Sequence, residues 1–432
     1  MVFRRSVVAR LSPHLAFASF GVFWGSWGAV LPSIKTQAEL TDGELGTALL
    51  CVGVGALPAM RLTGRLIDRH GVRGSACCLA LLSTSAVMVA MGSKGAVSVA
   101  ICMLVVGASS GAADVAINTM AGDAERRTSR PVLTRAHGSF SAAVVVSSLG
   151  MGALAAVGAN LLTSLGIAAL TGLALSALVW TGASLDHADR RESTGVQVLP
   201  PALPSTSAGR VYPLLALGLV GALAYATENA HQSWGAILIT DVYASHELAA
   251  LAPATFAATA AVTRLSLAPL SRSHPVAILT GGGAVACVGT VVLAAASNVP
   301  MALGGLAIAA GGTALLFPTL LSHGLRSVAP GVAGEATSIV ATTAYLGYLA
   351  GPAYVGLLAE RAGIRAAFLG VGFLILVFTA TAALTGRWSR QQASSTLALE
   401  GDLKSGASIA DAVEIWCREE VQAHGDPSAH GR

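Results

Sequence analysis

Two acids stand inside apolar sequence, and each has an amide one helical turn away. Asp114 is followed four residues later by Asn118, and Glu228 by Gln232, with His231 at the third position. Residues three and four apart lie on one face of a helix, so each acid would share its face with a hydrogen-bonding neighbour. A carboxylate deep in a bilayer-spanning helix costs about 2.5–3.5 kcal/mol, which confines it to a cavity or a partner. Burial disfavours the ionised form of a carboxyl, so such a group can exchange a proton near neutral pH. The chemistry on offer is proton exchange at Asp114, Glu228 or both, with Asn118, Gln232 and His231 placed to bind a polar ligand. The competing reading is structural, with each acid satisfied by a neighbouring hydroxyl or amide. Trp24 and Trp27 add aromatic faces that suit a sugar ring or a cation. Trp234 does the same, or anchors its helix at a membrane interface.

The elements that must position these residues are twelve apolar stretches, at 12–33, 45–63, 74–92, 96–120, 137–158, 161–183, 211–233, 248–268, 275–296, 299–321, 334–358 and 366–386. A hydrocarbon core ~30 Å thick is crossed by about twenty residues of helix. Lipid supplies no hydrogen-bond partners, so each stretch must satisfy its backbone internally. Charged residues are 11% of the 432-residue chain, against about 25% in soluble domains, and mean hydropathy is +0.68. The expected fold class is an all-α membrane protein with twelve transmembrane helices in two six-helix bundles. The bundles are expected at 1–185 and 211–388, joined by a cytoplasmic linker at 186–210 and followed by a cytoplasmic tail at 389–432. The linker holds Pro200, Pro201 and Pro204 in polar sequence, a composition that stays extended. A six-plus-six plan places a cavity between two similar bundles.

Of the 26 Lys and Arg residues, only Lys35, Lys94, Arg361 and Arg365 fall on the side opposite the N-terminus. The positive-inside rule puts both termini in the cytoplasm. Arg264 and Arg272 count as cytoplasmic in this tally. Arg4, Arg5 and Arg10 precede a first stretch that is long and lacks a convincing cleavage site, so it reads as an uncleaved helix rather than a signal peptide. Basic residues sit in short loops, which argues against nucleic acid as a partner. Cys51, Cys77, Cys78, Cys102, Cys287 and Cys417 show no metal-site spacing and read as small apolar filler. No Walker loop, zinc spacing, haem site or hydrolase elbow appears, so no cofactor and no enzyme activity are expected.

The loop between the second and third stretches reads Gly64-Arg65-Leu66-Ile67-Asp68-Arg69-His70-Gly71-Val72-Arg73. It resembles the G-x-L-x-D-R-x-G-R-R signature of the major facilitator superfamily, matching at Gly64, Leu66, Asp68, Arg69, Gly71 and Arg73. With the six-plus-six plan, the resemblance covers 12–388. It implies a transporter that works by alternating access and is usually monomeric, with a path lined by spans 1, 4, 7 and 10. It also implies gating by this loop, with Asp68 latching onto the start of span 11 near Gly334. Asp123, Glu125, Arg126 and Arg127 would pair with the same loop. The corresponding second-half loop, Thr263 to Arg272, lacks the acid, so no symmetric second latch is expected.

The sequences Gly107 to Asn118, Glu228 to Trp234 and Gly347 to Pro352 resemble the fucose-permease-like branch of bacterial inner-membrane members. That resemblance implies proton coupling without fixing a substrate, and the leading expectation is proton-coupled uptake of a sugar-like solute. Proton-driven efflux of a small organic compound is the alternative, although span 5 lacks the Gly-Pro pattern of many drug antiporters. A non-transporting sensor or scaffold on the same fold is a second alternative. Thr41-Asp42-Gly43-Glu44 spells a capping box. Gly107/Gly111 and Gly347/Gly351 permit close helix contact, and Pro318 and Pro352 can kink their helices. His137 opens span 5 as a gate or a cap. Ile409, Val413 and Trp416 could share one face of a tail helix.

Overall fold

Every described element is a helix, as an apolar backbone without water requires. The computed structural model describes residues 2–70, 72–128, 132–190, 208–326 and 333–383. The elements are α1 (Val2–Gln37), α2 (Asp42–His70), α3 (Val72–Gly92), α4 (Ala96–Thr128), α5 (Val132–Ala156), α6 (Leu161–Arg190), α7 (Ala208–Tyr243), α8 (His246–Ala249), α9 (Leu251–Ser273), α10 (Pro275–Ala295), α11 (Val299–Thr313), α12 (Leu316–Gly324) and α13 (Ala333–Ala362). A last helix, α14, covers Ile364–Ala383. The short α8 continues into α9 as one span, and α11 into α12 as another.

Among the described residues, ten spans are long and apolar enough to cross a membrane. Helices α7 and α13 fall outside that set, although they run for 36 and 30 residues. At 1.5 Å per residue the shorter is about 45 Å long, ample to span. Their apolarity is diluted by the polar residues they turn inward, Glu228, Asn229 and Gln232 on α7 and Tyr345 and Tyr348 on α13.

Local chemistry sets the helix ends. The capping box forms: Glu44 N–H donates to Thr41 Oγ1 at 3.2 Å, and Thr41 N–H donates to Glu44 Oε2 at 2.9 Å. Asn298 caps α11 by accepting from Met301 N–H at 2.9 Å. The α5–α6 and α13–α14 turns each need a left-handed residue, supplied by Gly158 at φ 75° and Gly363 at φ 85°. These two turns occupy equivalent places in the two halves.

Equivalent helix pairs also pack alike. In the first half α1 lies along α5, and in the second α7 lies along α13. Glycines allow both contacts, but from opposite members of the pair. Gly21 and Gly25 of α1 abut the α5 backbone at Phe140 and Val144, whereas Gly347 and Gly351 of α13 abut the α7 backbone at Ala222 and Ala226. Gly107 and Gly111 of α4 press in the same way on α2 at Val52 and Ala56.

Among the described residues, the halves touch at one end. Lys35 Nζ of α1 lies 2.6 Å from Asp42 Oδ1 of α2 and 2.5 Å from Asp241 Oδ2 of α7. Ser148 Oγ of α5 donates to the Ala250 carbonyl at 2.7 Å. Gly46 of α2 meets the backbone of α13 at Ala353 and Gly356, and Gly28 of α1 meets Pro253 of α9. By chain direction these contacts all belong to the end that carries the α1–α2 and α7–α8 turns.

Candidate functional site

Between the halves lies a cavity of about 260 Å³. Its first-half wall comes from α1 (Phe20, Trp24, Trp27), α4 (Ser110, Asp114) and α5 (Phe140, Ser141). Its second-half wall comes from α7 (Tyr225, Glu228, Asn229, Gln232), α9 (Phe256, Arg264) and α13 (Tyr345, Tyr348). The volume falls just below the ~300 Å³ lower end for drug-sized ligand sites. Ring contacts fix the aromatic walls. Tyr225 stacks on Phe317 with centroids 4.1 Å apart, Tyr345 stacks on Tyr348 at 5.3 Å, and Trp24 meets Trp27 edge-on at 6.2 Å.

Asp114 faces this space from α4. Asn118 Nδ2 donates to Asp114 Oδ1 at 3.0 Å and to the Asp114 carbonyl at 2.9 Å. Helical spacing makes this pair, as expected from the sequence. Its consequence differs from the expectation for Asn118, which braces the acid and is not among the cavity-lining residues. No cation stands within ion-pair distance of Asp114 among the described contacts.

Glu228 is set differently. Arg264 Nη2 lies 2.8 Å from Glu228 Oε1, and Gln232 Nε2 donates to the same oxygen at 3.3 Å. Arg264 is fixed at its other edge, where Nε–H donates to the Ala314 carbonyl at 3.0 Å. That carbonyl is open because its helical partner would be the N–H of residue 318, and Pro318 has none. The same device recurs on α13. Pro352 leaves the Tyr348 carbonyl without its helical donor, and Asn229 Nδ2 donates to it at 2.6 Å. Each proline thus leaves a fixed acceptor that aims a cavity donor.

Three expectations change here. His231 does not reach the cavity: it is 1% exposed, with Nδ1 2.7 Å from the Thr227 carbonyl, Nε2 2.9 Å from Thr290 Oγ1 on α10, and its ring against Phe256 and Phe368. At three residues from Glu228 it turns just far enough to face the helices behind α7. Arg264 is not a cytoplasmic loop residue, because α9 continues nine residues past it. The arginine ends the inward stripe Phe256, Ala260, Arg264, a spacing of four that could have revealed its orientation. Span 10, formed by α11 and α12, contributes no lining side chain. It packs behind α9 with small residues and offers only the Ala314 backbone, while α5, α9 and α13 supply the wall.

Other residues fall as follows. Trp24, Trp27 and Gln232 line the cavity. Trp234 is fully buried and donates from Nε1 to the Pro352 carbonyl at 3.2 Å, so it is neither an interfacial anchor nor a lining residue. The His137 ring meets Phe17 edge-on at 4.7 Å. Glu125 Oε2 accepts from Leu133 N–H at 2.9 Å across the α4–α5 connection. In the signature loop, Arg73 stands over Trp180 of α6 at 5.7 Å. Gly64, Asp68 and Arg69 lie in α2 and Gly334 in the first turn of α13, but the side chains of these two segments are outside the described residues, and Gly71 and the tail at 389–432 lie outside them altogether. Tyr225, Tyr345, Tyr348, Asn229 and Arg264 complete a site that the sequence pattern had not assembled.

Known proteins agree on the architecture. The profile of the Major Facilitator Superfamily matches residues 15–352. An uncharacterised MFS-type transporter of Yersinia pestis is 29% identical over 390 residues, covering 86% of this chain and 94% of the relative. The uncharacterised transporter y4wD of Sinorhizobium fredii is 29% identical over 366 residues, covering 82% and 91%. Among solved structures, a mutant of the nucleoside transporter NupG superposes with a TM-score of 0.68 at 14% identity, covering 87% of this chain and 98% of that one. A bacterial homolog of the human lysosomal transporter Spinster, in an inward-facing and occupied conformation, gives 0.65 at 14% identity, covering 90% and 97%. With helices that span a membrane and a profile match over most of its length, the chain belongs to the major facilitator superfamily of membrane transporters.

Proposed function

We propose that this chain moves a small, sugar-like solute across the cytoplasmic membrane by alternating access, coupled to protons, with both termini in the cytoplasm. The observation that carries the reading is the cavity between the halves, which holds one acid braced only by an amide, Asp114, and one acid paired with a cation, Glu228 with Arg264. In this scheme Asp114 carries the proton. Glu228, Arg264, Asn229 and Gln232 supply donors and acceptors to hydroxyl groups, and Trp24 stacks on the solute ring. The small volume and the resemblance to the fucose-permease-like branch both favour a single-ring polar solute.

The halves meet at the end bearing Lys35, and by the positive-inside rule that end is the outer one. The described state is then closed to the outside. The Asp68 loop serves as the opposite latch, gripping when the cavity faces outward.

A second reading is proton-driven efflux of an organic cation. Asp114 without a cationic partner, in a cavity ringed by Trp24, Tyr345 and Tyr348, is the feature that favours it. A non-transporting sensor is the third, and it would show no flux.

The test uses purified full-length protein in proteoliposomes with a trapped pH dye, challenged with a panel of sugars and organic cations. Solute-evoked proton entry that disappears in Asp114→Asn supports symport. Proton exit against an added cation supports the efflux reading instead. Undiminished flux in both Asp114→Asn and Glu228→Gln would remove the acids from the mechanism.

A further inference from the structure

We infer that Lys35 is a gating residue whose single ammonium is shared between a carboxylate of its own half and one of the opposite half, and that these two carboxylates act on the gate with opposite sign. Lys35 lies in the last turn of α1, and its side chain is 16% exposed. Asp42 opens α2 in the same half and is 19% exposed. Asp241 ends α7 in the other half and is 33% exposed. The ammonium reaches both, so these three groups carry two negative charges and one positive one, and the Glu360 carboxylate of α13 lies over Gly43 beside them.

The inference rests on the alternating-access reading. When the halves part at this end, Asp241 must leave Lys35, while Asp42 travels with it. Lysine is a point charge on a flexible stem, so it follows the nearer acid without fixed geometry. The open state therefore keeps a counter-ion on Lys35 and sends Asp241 to water, where a carboxylate is well solvated. Asp42 lowers the barrier to parting by competing for the ammonium, and Asp241 raises it by bridging. Asp42 also sits in the first turn of α2, where the helix dipole favours an anion, and it is not the capping residue, since Thr41 and Glu44 form the box.

The alternative is that the three charges merely solvate the end of the bundle, with both aspartates interchangeable. The two accounts differ in sign. Removal of Asp241 should open the end, and removal of Asp42 should leave it closed or close it further. Loss of Lys35 leaves Asp42 and Asp241 facing each other across the halves, which should open it most.

Hydrogen–deuterium exchange of the full chain in nanodiscs reads this without any solute. The reporter segments are 146–156 of α5 and 246–252 of α8 and α9, which are joined by the Ser148–Ala250 bond and carry none of the mutated residues. Asp241→Asn should speed their exchange about fivefold, the shift that one partly screened ion pair supports. Lys35→Met should speed it more, and Asp42→Asn should leave it unchanged or slower. Should Asp241→Asn fail to fold, as judged by monodispersity, the contrast of Lys35→Met with Asp42→Asn carries the same test. Faster exchange in Asp42→Asn, or no change in both Asp241→Asn and Lys35→Met, overturns the inference. Opposite shifts together with an absence of flux for every solute would leave the gate standing and sink the proposed substrate and coupling.

Discussion

Asp114 and Glu228 have the same local sequence setting and opposite electrostatic ones. Each has an amide four residues on, and each amide bonds its acid, at 3.0 Å for Asn118 and 3.3 Å for Gln232. Glu228 also has Arg264 at 2.8 Å, held in turn by a carbonyl that Pro318 leaves open. Asp114 has no such cation among the described contacts. A helix can supply its own amide through spacing alone, but a counter-ion comes from whichever helix packs opposite. Helix α9 brings an arginine to α7, while the neighbours of α4 bring serine and aromatic rings. One acid is thereby part of a neutralised pair, and on the proposed reading the other is the group whose charge changes during a cycle.

That contrast can be broken by experiment, and the largest effect expected is at Asp114. Replacing it with Asn should cut proton-coupled flux by about 100-fold, the scale on which a positioned acid–base group acts. Glu228→Gln should retain measurable coupling, so equal losses in the two variants would erase the distinction. Next in size is Arg264→Met. It strands Glu228 beside the cavity and should cost about 2 kcal/mol of stability in thermal unfolding. This is less than the 3–5 kcal/mol typical of a fully buried pair, because the Arg264 side chain is 43% exposed. The double variant Arg264→Met with Glu228→Met should recover most of that loss, and a purely additive result would show that the pair does not act as a unit. Trp24→Ala should weaken solute affinity about fivefold through loss of one stacking face while leaving the stability contrast untouched, measured as the concentration dependence of flux. The smallest effect belongs to Pro318→Ala. A carbonyl has two lone pairs, so the restored N–H need not evict Arg264, and a stability change within about 1 kcal/mol is expected. A loss as large as that of Arg264→Met would mean that the proline alone holds the guanidinium.

Several parts of this arrangement were legible before any packing was known. The Thr41–Glu44 box and the Asp114–Asn118 and Glu228–Gln232 pairs follow from spacing within a single helix. The Gly107/Gly111 and Gly347/Gly351 pairs announced close contacts, although not that the partners would be α2 and α7. His231 shows the limit of such reading: a third-position neighbour of Glu228 was expected at the cavity, yet 100° per residue carries it to the α10 side, where Thr290 receives it. Arg264 was hidden by its own charge, since a basic residue near a span end satisfies topology as readily as it satisfies a buried acid.

Helices, their caps, their passage through a membrane and the pairs made one turn apart all follow from periodicities of a few residues along the chain. Helix packing is what makes α5, α9 and α13 rather than span 10 wall the cavity, brings Arg264 to Glu228, and lets Lys35 join Asp42 to Asp241 across the halves. Those contacts link residues 36 to 206 positions apart, apart from the local Lys35–Asp42 pair. Their geometry is set by which helix faces fit together, which no local pattern specifies.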